Sequence, residues 1–69
     1  MDTLGELIHR RRKERRMPLQ EVADLAGISK AHVWELERGR TCNPSIGTLV
    51  ALGRALDLRP VELFEAAIQ

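Results

Sequence analysis

Aromatic residues are nearly missing from this chain of 69 residues: Trp34 and Phe64 are the only two, and there is no tyrosine. A core without them must be assembled from Leu, Ile, Val and Ala. That suits packed helices better than a sheet, where aromatic and β-branched residues are richer. Cys42 is the only cysteine, which excludes an intramolecular disulfide and a cysteine-based zinc site. No base stands near it in the sequence, and a lone cysteine is more often inert than catalytic. The longest unbroken apolar run is the four residues 49–52, too short for a membrane span or for the apolar segment of a signal peptide. These absences lead us to expect a cytoplasmic location in a reducing compartment and no membrane partner. A net charge of only +1 argues against a non-specific polycation.

What is present is a small, unevenly charged chain. Its length allows one domain, residues 1–69, whose core would supply only about 3–5 kcal/mol of net stability; oligomerisation would add to that. Residues 1–16 hold six Lys/Arg against three Asp/Glu, residues 17–40 three against four, and residues 41–69 two against three. One face can therefore be basic although the whole is nearly neutral. There are no repeats, low-complexity tracts or linkers.

The pattern is densest between Leu19 and Arg38. Val22, Ala23 and Ala26 share one helical face, as do Val33 and Leu36, and Gly27-Ile28 lies between the two sets. Gly27 stands where the first helix must end, at a position suited to positive φ, and Ser29 can cap the second. The spacing predicts helices over about 18–26 and 29–38, a helix–turn–helix of the kind that enters a DNA major groove. With Val33 and Leu36 inward, the opposite face of the second helix carries Ala31, Trp34, Glu35 and Arg38, flanked by Lys30 and His32. Trp34 on that face either meets a sugar–phosphate through its indole N–H or packs against the loop 40–44.

The flanking elements are also helical. Thr3 with Glu6 fits a capping box that opens a helix over 3–16. Leu4, Leu7 and Ile8 are apolar in it, and continuing their face would bury Arg11 and Arg12. A buried arginine needs a partner, and Glu37, beside the buried face of its own helix, is the expected carboxylate. The remaining basic residues of this helix form either a solvated face or a phosphate-facing cluster. Gly39 ends the third helix, Ser45 caps a fourth over 46–56, and Pro60 opens a fifth running to about Ala67. Ile46, Leu49, Val50, Leu52, Gly53 and Leu56 are the apolar positions of the fourth, and close packing would justify Gly47 and Gly53. The fifth helix is apolar around most of its circumference. One stripe should close the core, and a second, built from Val61, Phe64 and Ile68 with Leu58, is expected to form a dimer seam.

Several of these stretches together resemble the repressor-and-Cro class of small bacterial and phage helix–turn–helix regulators, the XRE family. They are Leu4-Gly5-Glu6 with Ile8 and Arg12, Glu21-Val22-Ala23 with Ala26-Gly27-Ile28-Ser29, and Val33 with Leu36-Glu37-Arg38-Gly39-Arg40. Asn43-Pro44-Ser45, Thr48-Leu49 and Ala55-Leu56 with Leu58 complete the match. The resemblance implies an all-α, five-helix, lambda-repressor-like domain that binds a (pseudo)palindromic operator in double-stranded DNA as a homodimer. Carried over by position, it implies that Lys30, Ala31 and Glu35 face bases with His32 alongside, and that Ser29 lies near the DNA backbone. It further implies phosphate contacts from Arg38, Arg40, Thr41 and Asn43, and a structural pair between Arg12 and Glu37. Three positions depart from the family pattern. Leu19 stands where a phosphate-touching Gln is common, leaving Gln20 beside it as the substitute; Arg11 stands where an apolar residue is common, and Arg16 where Gly is common.

The chemistry of those side chains fits such a role. Lys30 can donate to guanine O6/N7, Ala31 can meet a thymine methyl, and Glu35 can accept from a cytosine amine or orient Lys30, Arg38 or Arg40. Arg38 and Arg40 are suited to phosphates. His9 and His32 have no nucleophile or carboxylate at a catalytic spacing, so an enzyme is not expected. Neither is a metal, a cofactor or a small-molecule ligand. The competing reading is an antitoxin-like or other protein-interaction module on the same helical scaffold.

Overall fold

The computed structural model describes residues 3–40 and 44–68. They form five helices in the order α1 Leu4–Glu14, α2 Leu19–Ala26, α3 Lys30–Glu37, α4 Ile46–Leu56 and α5 Pro60–Ala67, and among the described residues there is no strand. Helix α2 lies against α3 and α4, while α1 packs on α3, α4 and α5. The aliphatic side chains of Ile8, Val22, Val33, Leu36, Leu52, Leu56 and Leu63 meet at the centre and are fully buried.

Local chemistry explains the helix ends. The Thr3 hydroxyl accepts from the Glu6 N–H at 3.2 Å, and the Glu6 carboxylate accepts from the Thr3 N–H at 2.9 Å, completing the expected capping box. Ser29 and Ser45 accept from the N–H groups of His32 and Thr48 at 3.0 and 3.1 Å. Gly27, at φ 71°, closes α2: the Ile28 N–H reaches back to the Ala23 carbonyl at 3.0 Å.

Several boundaries and placements differ from the sequence expectation. Helix α1 stops at Glu14, two residues early, because Arg16 turns left-handed at φ 55° and the Met17 N–H bonds the Arg12 carbonyl at 3.0 Å. An arginine thus performs the turn that glycine performs after α2, at some steric cost. Pro18 caps α2 rather than entering it. Ile46, one of the apolar positions at helical spacing in α4, is 70% exposed and stands outside the core. Gly53 is closely packed: a Cβ there would come within 3.0 Å of the Leu58 carbonyl oxygen and of Leu63. A Cβ at Gly47 would meet the Ser45 hydroxyl at 3.9 Å, an ordinary contact, so close packing does not account for it. Leu58, placed on the exposed seam by its sequence position, is buried in the core. The tight turn after α4, where the Leu58 N–H bonds the Gly53 carbonyl at 2.8 Å, directs its side chain inward.

Candidate nucleic-acid interface

Helix α3 presents two unlike faces. Val33 and Leu36 are buried, and Lys30, Ala31, Trp34, Glu35 and Arg38 are exposed around the opposite side, with His32 half-buried at the edge. The backbone N–H groups at the start of α3 are ordered by Ser29, whose exposed residue uses its hydroxyl as the cap. Gln20 is exposed, but its amide N–H donates to the Asp24 carboxylate one turn on at 2.8 Å. Thr41 and Asn43, two of the expected phosphate contacts, lie outside the described residues.

The far end of α3 is braced from beneath. Arg12, 8% exposed, donates from Nε to Glu37 Oε2 at 2.6 Å and from a terminal nitrogen to Oε1 at 3.1 Å; its other terminal nitrogen donates to the Met17 carbonyl at 2.9 Å. This is the arginine–glutamate pair required by the burial of α1. His9 joins it, with Nδ1 2.8 Å from Glu37 Oε1. The sequence reading missed that third member, although His9 stands one helical turn from Arg12 and so shares its face. Burial alone would push the Glu37 carboxyl up. The hydrogen bonds from Arg12 and His9, together with their charges, outweigh it and hold the group below the usual carboxylate range. Gly5 lets α1 approach this brace: a Cβ there would fall on the Leu36 carbonyl oxygen and within 2.7 Å of that of Glu37.

The other α1 arginines are largely engaged within the domain. Arg11 donates to the Leu56 and Asp57 carbonyls at 3.0 Å each, capping the end of α4. This is what an arginine does where the family usually has an apolar residue, and it identifies the second inward-facing position of α1 as a cap. Arg10 lies 3.5 Å from Glu14, and Arg15 3.9 Å from Asp57. On the outward side of α3, Arg38 and Arg40 both lie over the Trp34 ring, at 5.1 and 5.2 Å from its centroid. Trp34 thus meets Arg40, the first residue of the loop 40–44.

Helix α5 carries the two stripes expected of it. Leu63 and Ala66 are buried, while Val61, Phe64 and Ile68 are exposed. Among the described residues, no helix is long and apolar enough to cross a membrane. No group of His, Cys, Asp or Glu among them could hold a metal ion.

A braced second helix with a free outer face, set against a first helix across a glycine turn, defines a helix–turn–helix domain. Residues 3–67 match the family model described as a helix–turn–helix domain. Among curated proteins, the chain is 36% identical to the transcriptional regulator SinR of Bacillus subtilis over 55 residues, which is 80% of this chain and 50% of that protein. The crystal structure of SinR in complex with DNA superposes with a TM-score of 0.83 at 34% identity, covering 90% of this chain and 98% of that one. The P22 c2 repressor in complex with synthetic operator superposes with a TM-score of 0.86 at 29% identity, covering 96% and 98%. The chain belongs to the XRE family of helix–turn–helix transcriptional regulators and has its lambda-repressor-like fold. It spans about half the length of the curated relatives it matches.

Proposed function

We propose that this domain is a sequence-specific DNA-binding module of a transcriptional repressor, with α3 in the major groove. The observation that carries this reading is the division of α3: an exposed Lys30, Ala31 and Glu35 at its free end, with Glu37 locked to Arg12 at the other. In this reading Lys30, Ala31 and Glu35 read base edges with His32 beside them, and Ser29, Arg38 and Arg40 lie along the phosphates. Thr41 and Asn43 complete the phosphate set by position. Gln20 joins it by releasing Asp24. SinR and the c2 repressor, both solved with DNA, support the placement of α3.

The finer part of the proposal is a homodimer formed through Val61, Phe64 and Ile68, reading a two-fold operator. Three exposed apolar side chains on one stripe of α5 support it. Selection of bound duplexes from a random DNA pool, followed by gel shift over a range of salt, tests both parts. The expected result is a two-fold motif with half-sites about 10 base pairs apart, or a multiple of that, and binding that weakens steeply with salt. Enrichment of no motif together with salt-independent binding would overturn the reading.

The second reading, a protein-interaction module, is favoured by one observation: at the start of α2, Leu19 offers no donor and the Gln20 amide is occupied by Asp24. Failure to retain any duplex at low salt would favour it.

A further inference from the structure

Trp34 has no counterpart role in the brace or in the core, yet two cations converge on it. Arg38 stands one helical turn beyond it. Arg40 is carried back over the ring by the left-handed turn at Gly39, φ 72°, where the Arg40 N–H bonds the Glu35 carbonyl at 2.9 Å. Both guanidiniums lie within cation–π range of the ring centroid, at 5.1 and 5.2 Å. Among the described residues, neither has a carboxylate partner, whereas Arg10, Arg11, Arg12 and Arg15 of the first helix and its end each have one. Among the described residues, the Trp34 ring is what both guanidiniums meet.

We infer that Trp34 is a positioning residue that racks Arg38 and Arg40 as a two-pronged clamp for DNA phosphates. This rests on the DNA-binding reading above and names a part of it. A guanidinium stacked on an aromatic face keeps its N–H edges free for an anion while losing the rotamer freedom that binding would otherwise have to remove. The ring neutralises no charge, so the phosphate remains the only anion that completes the cluster. Trp34 need not touch the DNA itself, and its work is done through the two arginines.

The test uses a fluorescein-labelled mixed-sequence DNA duplex titrated by anisotropy at several salt concentrations, with the full chain. Arg38→Ala/Arg40→Ala should lower the slope of log K against log salt by about two, one for each phosphate contact. Trp34→Leu, which keeps an apolar side chain but removes the ring, should weaken binding about fivefold, and Trp34→Phe should restore most of it. In the double-arginine variant, Trp34→Leu should change nothing further, because a positioning residue acts only through what it positions. An equal loss in that background would mean that Trp34 contacts DNA or serves stability, and would overturn the inference. So would unchanged binding by Trp34→Leu in the otherwise native chain.

A DNA-free readout separates this from the broader reading. The Arg38 and Arg40 Nε–H proton resonances should be shifted upfield by the ring current, and should relax to ordinary values in Trp34→Leu. Absence of that shift overturns the rack whatever the DNA result. Its presence in a chain that binds no duplex at low salt overturns the DNA reading, and the phosphate clamp with it.

Discussion

The two ends of α3 are built on opposite principles. At its C-terminal end Glu37 is enclosed, paired with Arg12 and His9, and pressed from below by the Gly5 backbone. At its N-terminal end Lys30 and Ala31 are exposed, and the one local tie is the Ser29 cap. The enclosed end fixes the direction of the helix, and the exposed end can then vary in side chain without disturbing the fold. Energy of stability and specificity of contact are thereby placed a few residues apart on one element.

The largest break in this contrast should come from Arg12→Ala. It leaves Glu37 enclosed with only His9 beside it and is expected to cost about 3 kcal/mol, close to the whole stability of a domain this small; urea unfolding measures it. Replacing both partners with apolar residues of similar volume should recover most of the loss while leaving binding less well oriented. Gly5→Ala attacks the same end sterically. The added methyl meets backbone carbonyls rather than a flexible side chain, and a loss of about 1–3 kcal/mol is expected from thermal melts.

Acid should act on the braced end. Because the Glu37 carboxyl sits below its ordinary value in the folded state, its contribution is complete above about pH 4.5 and is lost as pH falls through the lowered value. Melting temperature should therefore drop with acid in the native chain, and less steeply in Glu37→Gln measured over the same range. A parallel acid dependence in the two proteins would show that other carboxylates carry it.

Two smaller effects sharpen the comparison. Ser29→Ala removes the cap at the exposed end and should cost about 1 kcal/mol by the same melts. Arg16→Gly relieves a left-handed arginine far from α3 and should stabilise by about 0.5–1 kcal/mol. Smallest of all in stability is Lys30→Ala, within about 0.5 kcal/mol; in the proposed role it changes which duplexes are selected, whereas Arg38→Ala weakens binding to all of them.

Much of this is legible in the sequence. Helix–turn–helix periodicity, the caps at Thr3, Ser29 and Ser45, and the left-handed Gly27 follow from side-chain spacing and from local hydrogen bonding, which act within a few residues. The Arg12–Glu37 pair was legible for a different reason: a buried cation demands an anion, and few candidates lay beside a buried face. His9 was harder to see, since an exposed histidine carries no such demand. Arg11 was harder still, because its partners are the Leu56 and Asp57 carbonyls, and backbone acceptors leave no mark in a sequence.

The limits fall where distance along the chain is large or where a turn decides direction. The spacing of residues 58–68 predicts two apolar stripes on the last helix, but only the turn after α4 decides that Leu58 belongs to the core while Val61, Phe64 and Ile68 stay outside. Composition and spacing determined that this chain would be helical, aliphatic-cored and without an intramolecular disulfide. Tertiary structure decided which arginines are used internally and which remain available. Arg10, Arg11, Arg12 and Arg15 have carboxylate partners, two of which, Glu37 and Asp57, come from distant parts of the chain, while the guanidiniums of Arg38 and Arg40 lie over an indole ring and, among the described residues, have no carboxylate partner. The physical reason is that a charge is spent by whatever lies within a few ångströms of it, and that neighbourhood is created by packing.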